Sequence, residues 1–337
     1  MKFLPIILVI VQSAIGLSQV NHTLKASIES IIKDSSENVF NGIVHVSNND
    51  GELTVSQGFS DFNKKKKLTP ENQFVIGSIS KQITAALVLR EAELGLLSLN
   101  DPIGKYLKNL DQSWKDSITI HHLLVHTHGI RTRKSPLGFR PGTKFEYSQI
   151  GYQLLAEILE IIHQDSFNKI TDEFFKSKGM NATCFPTKKS LKKLAKGYVQ
   201  SEDGEILFEH ESFENYVPAG GFVSTVGDMA LWNELLYSGS VVNDSSLNLM
   251  RQPFATRMHP IFGEIEYGYG LTFRKGEAYI QIGALGYAPG YVSANFYFPK
   301  SRTSVIIFQN LVTGLPDFKM VFKFQLAILR LVRASLN

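Results

Sequence analysis

The sequence predicts an α/β (α+β) fold in which both ends of the chain build one antiparallel sheet around a mostly helical insertion. Near the N-terminal end, residues 41–47 and 52–58 alternate apolar and polar side chains around the turn sequence NNDG, which predicts a β-hairpin. After Tyr267, segments rich in β-branched and aromatic residues predict further strands. These strands are expected at 269–274, 278–282, 291–298 and 304–309. Between the two strand-rich regions, apolar residues recur at helical spacing. Helices are expected at 80–97, 120–125, 148–162, 166–175 and 226–237.

The length of 337 residues suggests about two domains, at roughly 100–200 residues for each. We expect residues 20–85 and 265–337 to form the sheet domain and residues 86–264 to form the helical domain. The last segment, residues 317–334, has apolar residues at partly helical spacing with Lys and Arg between them. It predicts a terminal helix packed on the sheet, or alternatively a helix on a membrane surface.

The composition excludes several classes of protein. Hydrophobic residues make up 43% and charged residues 20%, which are values of an ordinary globular protein and not of a disordered or fibrous one. The net charge of +4 is too balanced to indicate a nucleic-acid partner. The single cysteine, Cys184, cannot form an internal disulfide and excludes four-cysteine zinc sites. We expect no cofactor, and the sequence carries no signal for an oligomeric state.

The N-terminus has the pattern of a secretory signal peptide over residues 1–19. Lys2 supplies the positive region, residues 3–11 are apolar, and small residues follow at Ala14, Gly16 and Ser18. A hydrophobic membrane anchor is the alternative, but the run is short for a span of about 20 residues. We therefore expect an exported protein, periplasmic or secreted, without a membrane span after cleavage.

The sequence Ser78-Ile79-Ser80-Lys81 is an S-x-x-K pattern, which occurs at three other places in the chain. Only Ser78 follows a short apolar segment and a glycine and opens a predicted helix. A serine hydroxyl becomes a nucleophile when a base takes its proton, and a desolvated lysine three residues later can be that base. The alternative is a serine that caps the helix, with an exposed lysine.

Five segments in this order resemble the serine β-lactamase and penicillin-binding-protein family, and most closely its class C β-lactamase, D-Ala-D-Ala carboxypeptidase and esterase branch. The segments are FVIGSISKQITAALVLREAELGLLSLNDPIGKYL, ITIHHLLVHTHGI, RPGTKFEYSQ, PAGGFVSTVGD and GALGYAPGYVS. The resemblance covers about residues 41–310 and implies the β-lactamase/transpeptidase-like fold.

The resemblance implies a role for each matched residue. Ser78 is the expected acylated nucleophile, and Lys81 the neighbouring base or proton relay. Tyr147 matches the family's Y-x-N tyrosine, because it follows the Pro-Gly-Thr-x-Phe lead of that motif. The backbone N–H groups of Ser78 and Tyr287 are the expected oxyanion hole.

Two motifs depart from the family's pattern, and residues of both are expected to contact substrate. Gln149 replaces the asparagine of Y-x-N, which keeps the amide but adds a methylene. The third motif, normally Lys or His, then Thr or Ser, then Gly, here corresponds to Ala284, Leu285 and Gly286. Without the cation and hydroxyl, penicillins and D-Ala-D-Ala termini should bind weakly, and an uncharged acyl group suits this apolar wall.

Two groups of residues are expected to lie outside the reaction. The histidine-rich segment contains His122 and His126, which are four apart, but it lacks the glutamate of zinc-protease helices, so no metal site is expected. His128 stands where the family usually has a serine. Arg131, Arg133 and Arg140 are expected to be surface charges, although one of them could replace the missing cation.

We expect an exported serine hydrolase that acts on a small ester, amide or peptide substrate through an acyl-enzyme on Ser78. Esterase or acyl-hydrolase activity is preferred to efficient β-lactamase activity. One alternative is an inactive module that binds a peptide or cell-wall fragment. The other is a D-Ala-D-Ala carboxypeptidase.

Overall fold

The computed structural model describes residues 22–34, 38–187, 191, 193–209, 213 and 216–336. The signal peptide predicted at residues 1–19 lies outside these residues. The described strands are β1 (Gly42–Asn48), β2 (Gly51–Gln57), β3 (Phe59–Asp61), β4 (Lys66–Lys67), β5 (Phe74–Val75), β6 (Tyr198–Gln200), β7 (Ile206–Phe208), β8 (Val223–Ser224), β9 (Ala255–His259), β10 (Gly263–Tyr267), β11 (Thr272–Arg274), β12 (Ile282–Ala288), β13 (Tyr291–Phe298), β14 (Thr303–Gln309) and β15 (Leu311–Val312).

The helices surround these strands and connect them. They are α1 (22–33), α2 (Ser80–Glu93), α3 (Ile120–Leu124), α4 (Ile150–His163), α5 (Phe167–Ser177), α6 (Val226–Tyr237), α7 (Asp244–Arg251), α8 (Phe318–Val321) and α9 (Lys323–Ser335). Two short irregular turns matter for the site: a 3-10 turn at Gly77–Ile79 and a π-helical turn at Val217–Gly221.

Within the described residues, the main sheet has eight strands in the order β2-β1-β14-β13-β12-β11-β10-β9, with every neighbouring pair antiparallel. The pairing of β1 with β14 joins the two ends of the chain, so the predicted sheet from both ends is confirmed. The predicted hairpin is also confirmed, because Asn48 pairs with Gly51 at its tip. The strands β9 and β10 begin before residue 265, inside the range assigned to the helical domain, and that division of the chain stays a prediction.

The central strands β13 and β14 are buried along their whole length, which indicates a layer of helices on each face of the sheet. Alternate residues of β14 point to opposite faces. Ile306 belongs to the large core shared with α2 and α4, and Ile307 to the core shared with α1 and α9. The helix α9 buries Phe324 and Ile328 in that second core, so the predicted packing of a terminal helix on the sheet is confirmed.

One predicted strand is wrong. Residues 278–281 form a turn, in which the backbone N–H groups of Ile280 and Gln281 donate to the carbonyl of Glu277 at 2.9 and 3.1 Å. Tyr279 is 63% exposed there, although its side chain is typical of a strand. The strand β12 begins only at Ile282. Among the described residues, no helix has both the length and the apolar character needed to cross a membrane.

Candidate active site

Ser78 lies in the 3-10 turn that leads directly into α2. The turn depends on Gly77, which has a φ of +55° and faces the backbone of β12. A Cβ atom at Gly77 would lie 2.6 Å from the backbone nitrogen of Tyr287 and 2.9 Å from Cα of Gly286. Both the left-handed conformation and this close approach favour glycine. The glycine thereby holds Ser78 against the strand that carries the third motif.

Lys81 lies in the first turn of α2 and is only 1% exposed. Its Nζ donates hydrogen bonds to the carbonyl oxygen of Ala219 at 2.6 Å and to Oγ of Ser78 at 3.3 Å. The N-cap residues of the 3-10 turn and of α2 are Ile76 and Ile79, so Ser78 does not cap either element. The alternative of a capping serine with an exposed lysine is therefore wrong.

The turn at Val217–Gly221 is fastened to α2 by side chains of that helix. Thr84 donates to the carbonyl of Pro218 at 2.7 Å, and Ser80 Oγ accepts from the backbone N–H of Phe222 at 3.2 Å. This turn contains Ala219, Gly220 and Gly221. Its position presents the Ala219 carbonyl to Lys81.

Tyr147 donates a hydrogen bond from its hydroxyl to Oγ of Ser78 at 2.8 Å. The residue is 37% exposed, and the centroid of its ring lies 4.7 Å from Nζ of Lys81. Burial alone would raise the pKa of Tyr147. The charge of Lys81, hydrogen bonds with Lys81 and Ser78, and the charge of Arg257 outweigh it and lower that pKa below its ordinary value. Lys81 and Tyr147 therefore both contact the hydroxyl of Ser78, and the lowered pKa makes the phenol of Tyr147 easier to deprotonate.

The ring of His126 packs against the ring of Tyr147. Its ring centroid lies 4.5 Å from that of Tyr147, and its Nδ1 accepts from the backbone N–H of Ser148 at 3.3 Å. Nε2 lies 3.0 Å from the hydroxyl of Tyr267. Burial, together with the charge of Lys81, holds the pKa of His126 well below its usual range. The ring is therefore neutral, with its proton on Nε2, and it positions Tyr147 without adding charge.

The other histidines of this segment also have structural partners. His122 forms a capping box with Thr119 at the start of α3, whereas His126 lies beyond the end of that helix. His128 accepts a hydrogen bond from the backbone N–H of Ile130 at 2.9 Å, and burial lowers its pKa to about 4. A Cβ atom at Gly151 would lie 2.9 Å from Nε2 of His128, so this histidine packs against the start of α4. In the described part of the chain, no group of three His, Cys, Asp or Glu residues is arranged to hold a metal.

The third motif lies on β12 and alternates between the faces of the sheet. Ala284 is buried in the large core, whereas Leu285 packs against the cores on the α9 side. Gly286 fits under the 3-10 turn, since a Cβ atom there would lie 2.2 Å from the carbonyl oxygen of Ile76. Ser293 on the neighbouring strand donates to that same carbonyl at 2.8 Å. The strand thus contributes an apolar side chain and closely packed backbone to the site.

The remaining predicted residues are Gln149 and three arginines, and all four are exposed. Gln149 is exposed at the start of α4, and among the described residues its side chain has no hydrogen-bond partner. Arg131 pairs with Glu146 at 3.8 Å, and Arg133 pairs with Glu157. Arg140 is exposed, as predicted.

Arg257 on β9 lies at the site, although no sequence motif predicts it there. Its guanidinium carbon lies 4.9 Å from the ring centroid of Tyr147 and 5.7 Å from that of Phe145. No motif surrounds Arg257, and it lies far from Tyr147 in sequence, so only the pairing of β9 with β10 brings it to the site.

Comparison with known proteins agrees with this geometry. Teichoic acid D-alanine hydrolase from Staphylococcus aureus is 26% identical over 277 residues, which cover 75% of this chain and 68% of that protein. Among solved structures, D-amino acid amidase from Ochrobactrum anthropi SV3 superposes with a TM-score of 0.80 at 20% identity, covering 94% of this chain and 100% of that one. A penicillin-binding protein from Bacillus halodurans gives a TM-score of 0.76 at 23% identity, with coverages of 90% and 98%.

A class C β-lactamase has the same fold, with a TM-score of 0.76 at 16% identity over 95% of this chain and 97% of that one. The profile of the Beta-lactamase family matches residues 28–330, which is nearly the whole described chain. The chain therefore belongs to the Beta-lactamase family and is a serine hydrolase.

Proposed function

We propose that this protein is an exported esterase or amidase that cleaves small acyl substrates through an acyl-enzyme on Ser78. The observation that carries the proposal is the double hydrogen bond to one hydroxyl. Oγ of Ser78 accepts from the hydroxyl of Tyr147 at 2.8 Å and from Nζ of Lys81 at 3.3 Å. These two groups are the ones that can take its proton and stabilise the resulting charge.

Acylation begins when deprotonated Tyr147 accepts the proton of Ser78 across the 2.8 Å contact. Oγ of Ser78 then forms a bond to the carbonyl carbon of the substrate, and the carbonyl oxygen becomes an oxyanion. The backbone N–H groups of Ser78 and Tyr287 are proposed to stabilise that oxyanion. The close approach of Gly77 to the Tyr287 nitrogen supports this assignment.

The tetrahedral intermediate collapses when the bond from the carbonyl carbon to the leaving oxygen or nitrogen breaks. Tyr147 returns its proton to that leaving atom. A water molecule then attacks the acyl-enzyme and gives a proton to Tyr147. The bond to Oγ of Ser78 breaks, and the serine regains its proton, which completes hydrolysis.

The preference for esters or amides over β-lactams follows from β12. At the third motif, Ala284 and Leu285 supply neither a cation nor a hydroxyl. Losing a charge-assisted hydrogen bond to a substrate carboxylate costs about 1.5–3 kcal/mol. The relative named teichoic acid D-alanine hydrolase supports an acyl hydrolase, and the signal-peptide pattern at residues 1–19 supports export.

Labelling with a fluorophosphonate probe tests the proposal. We expect the protein to be labelled and Ser78→Ala to lose all labelling. Ser166→Ala is the matched control, because Ser166 also belongs to an S-x-x-K sequence but caps α5. Absent labelling of the folded protein would favour a binding module. Labelling by a fluorescent penicillin, or rapid cleavage of a chromogenic cephalosporin, would favour a cell-wall enzyme or a β-lactamase instead.

A further inference from the structure

We propose that Tyr267 is a positioning residue, which fixes the tautomer of His126 and thereby holds the Tyr147 hydroxyl against Oγ of Ser78. Tyr267 acts through His126 and does not touch the substrate. This inference rests on the proposed function, because it concerns the residues that place the general base of that reaction.

His126 holds the chain on both sides of Tyr147. Its backbone carbonyl accepts from the N–H of Glu146 at 2.9 Å, and Nδ1 of its ring accepts from the N–H of Ser148 at 3.3 Å. The same ring packs against Tyr147, with 4.5 Å between the two centroids. The position of the Tyr147 hydroxyl therefore depends on how the ring of His126 is oriented.

The backbone of His126 is in an uncommon conformation. Its φ of +58° lies in the left-handed region, which residues other than glycine seldom adopt. Such a conformation persists where the surrounding contacts over-determine it, and it is typical of active sites. His126 is fully buried, so its hydrogen bonds to the protein are the contacts that hold it there. Loss of one of these contacts should loosen the histidine and the segment that it holds.

Tyr267 accepts the ring proton of His126. Because Nδ1 faces a backbone N–H, which can only donate, Nδ1 carries no proton. The neutral ring therefore carries its proton on Nε2, which lies 3.0 Å from the hydroxyl of Tyr267. Without that hydroxyl, the buried Nε2–H would lose its acceptor, which costs free energy and reduces the preference for this tautomer.

Tyr267 is itself held in one hydrogen-bonding orientation. It is 2% exposed and lies on β10, between β9 and β11 of the main sheet. Burial, and after it the neighbouring phenol of Tyr152, raise the pKa of Tyr267, so its hydroxyl stays protonated. The hydroxyl of Tyr152 donates to the carbonyl of Leu124 at 3.0 Å, which leaves its oxygen to accept from Tyr267. Tyr267 can therefore donate to Tyr152 while it accepts from His126.

The same region contains a matched pair of residues. Tyr269 is also 2% exposed, and its hydroxyl lies 2.8 Å from Nδ1 of His121. The ring of His121 packs edge-on against Phe254, with 4.8 Å between the centroids. Loss of either tyrosine hydroxyl therefore removes the partner of a histidine. Tyr267→Phe changes the histidine that contacts Tyr147, and Tyr269→Phe is the control.

Nuclear magnetic resonance of the protein labelled with 15N-histidine tests the tautomer directly. Two-bond 1H–15N correlations show which ring nitrogen carries the proton, and His126→Asn identifies the signals of His126. We expect His126 to be protonated on Nε2 alone in the unmodified protein and in Tyr269→Phe. Tyr267→Phe should populate both tautomers. A proton on Nδ1 in the unmodified protein, or an unchanged tautomer in Tyr267→Phe, would overturn the inference.

Hydrolysis of 4-nitrophenyl acetate tests the effect on the reaction. We expect Tyr267→Phe to lower kcat by about 10-fold and to change KM by less than about twofold, because the base is displaced while substrate contacts remain. Tyr269→Phe should keep kcat, although it also removes a buried hydroxyl. Melting temperatures of both variants show whether they are folded. Equal losses of kcat in the two variants would contradict a role specific to Tyr267.

The two measurements separate this inference from the proposed reaction. If fluorophosphonate labelling fails but the tautomer of His126 still depends on Tyr267, the proposed hydrolase is wrong and the control of His126 by Tyr267 stands. If labelling succeeds and the tautomer does not depend on Tyr267, only the role of Tyr267 is wrong.

Discussion

The start of α2 and the strand β12 form two walls of the same site, yet they contribute in different ways. The α2 wall supplies side chains with chemistry, Ser78 and Lys81, and Tyr147 joins them through a 2.8 Å hydrogen bond. The β12 wall supplies no charged or hydroxyl side chain at Ala284 or Leu285. It contributes backbone atoms that pack closely against the turn that carries Ser78.

The difference shows which parts of such a site can change independently. A nucleophile needs its base within hydrogen-bond distance, so the side chains of the first wall depend on one another. The β12 wall contributes backbone atoms, so it requires only that β12 pack closely against the 3-10 turn before α2. Gly77 and Gly286 allow that close packing because neither has a side chain. Besides Lys81, the guanidinium of Arg257 on β9 lies 4.9 Å from the ring centroid of Tyr147.

We expect the largest effect on activity from a substitution of Tyr147. Tyr147→Phe removes the hydroxyl that contacts Ser78 but keeps the ring beside His126. We expect kcat/KM for a simple aryl ester to fall by about 10²- to 10⁴-fold, with little change in melting temperature. Tyr279→Phe, at an exposed turn, is the control and should retain activity. A Tyr147→Phe protein with near-normal kcat/KM would show that the base lies elsewhere.

We expect a smaller effect from a substitution at Gly77, where the 3-10 turn before α2 packs against β12. Gly77→Ala adds a Cβ atom 2.6 Å from the Tyr287 nitrogen at a φ of +55°. We expect the free energy of unfolding to fall by about 1–3 kcal/mol, together with a loss of kcat/KM. Gly220→Ala is the matched control, because the nearest atom to its Cβ would be 3.7 Å away. Denaturant unfolding of both variants measures the difference, and equal stabilities would mean that the walls do not meet closely.

The smallest effect concerns pH. Tyr147 must be deprotonated to act as the base, so kcat/KM should rise with pH as the phenol loses its proton. The positive charges of Lys81 and Arg257 lower the pKa of Tyr147, whereas His126 is neutral. Arg257→Gln removes one positive charge and so raises that pKa, which moves the rising limb to higher pH.

A pH profile of kcat/KM for a neutral ester measures this shift. Arg302→Gln should leave the limb in place, because Arg302 lies at an exposed turn after β13. An unchanged limb in Arg257→Gln, or one displaced to lower pH, would exclude the electrostatic role of Arg257 on Tyr147.

The elements that were predictable from the sequence have local signals. The hairpin of β1 and β2 follows from alternation around a turn sequence, and α4 follows from apolar residues at helical spacing. The strand predicted at 278–282 is wrong because aromatic and β-branched residues favour strands only when they pack. Tyr279 and Ile280 instead lie exposed in a turn.

By itself, the sequence determined the fold class and the roles expected for Ser78, Lys81 and Tyr147, because short motifs and hydrophobic spacing are local properties of the chain. Only the tertiary structure decided that Lys81 is buried against the Ala219 carbonyl and that His128 is a packing residue. It also decided that Arg257 lies over the ring of Tyr147. Burial, pKa shifts and contacts between distant residues depend on which elements pack together, and no local pattern around Arg257 records the pairing of β9 and β10 that brings it to Tyr147.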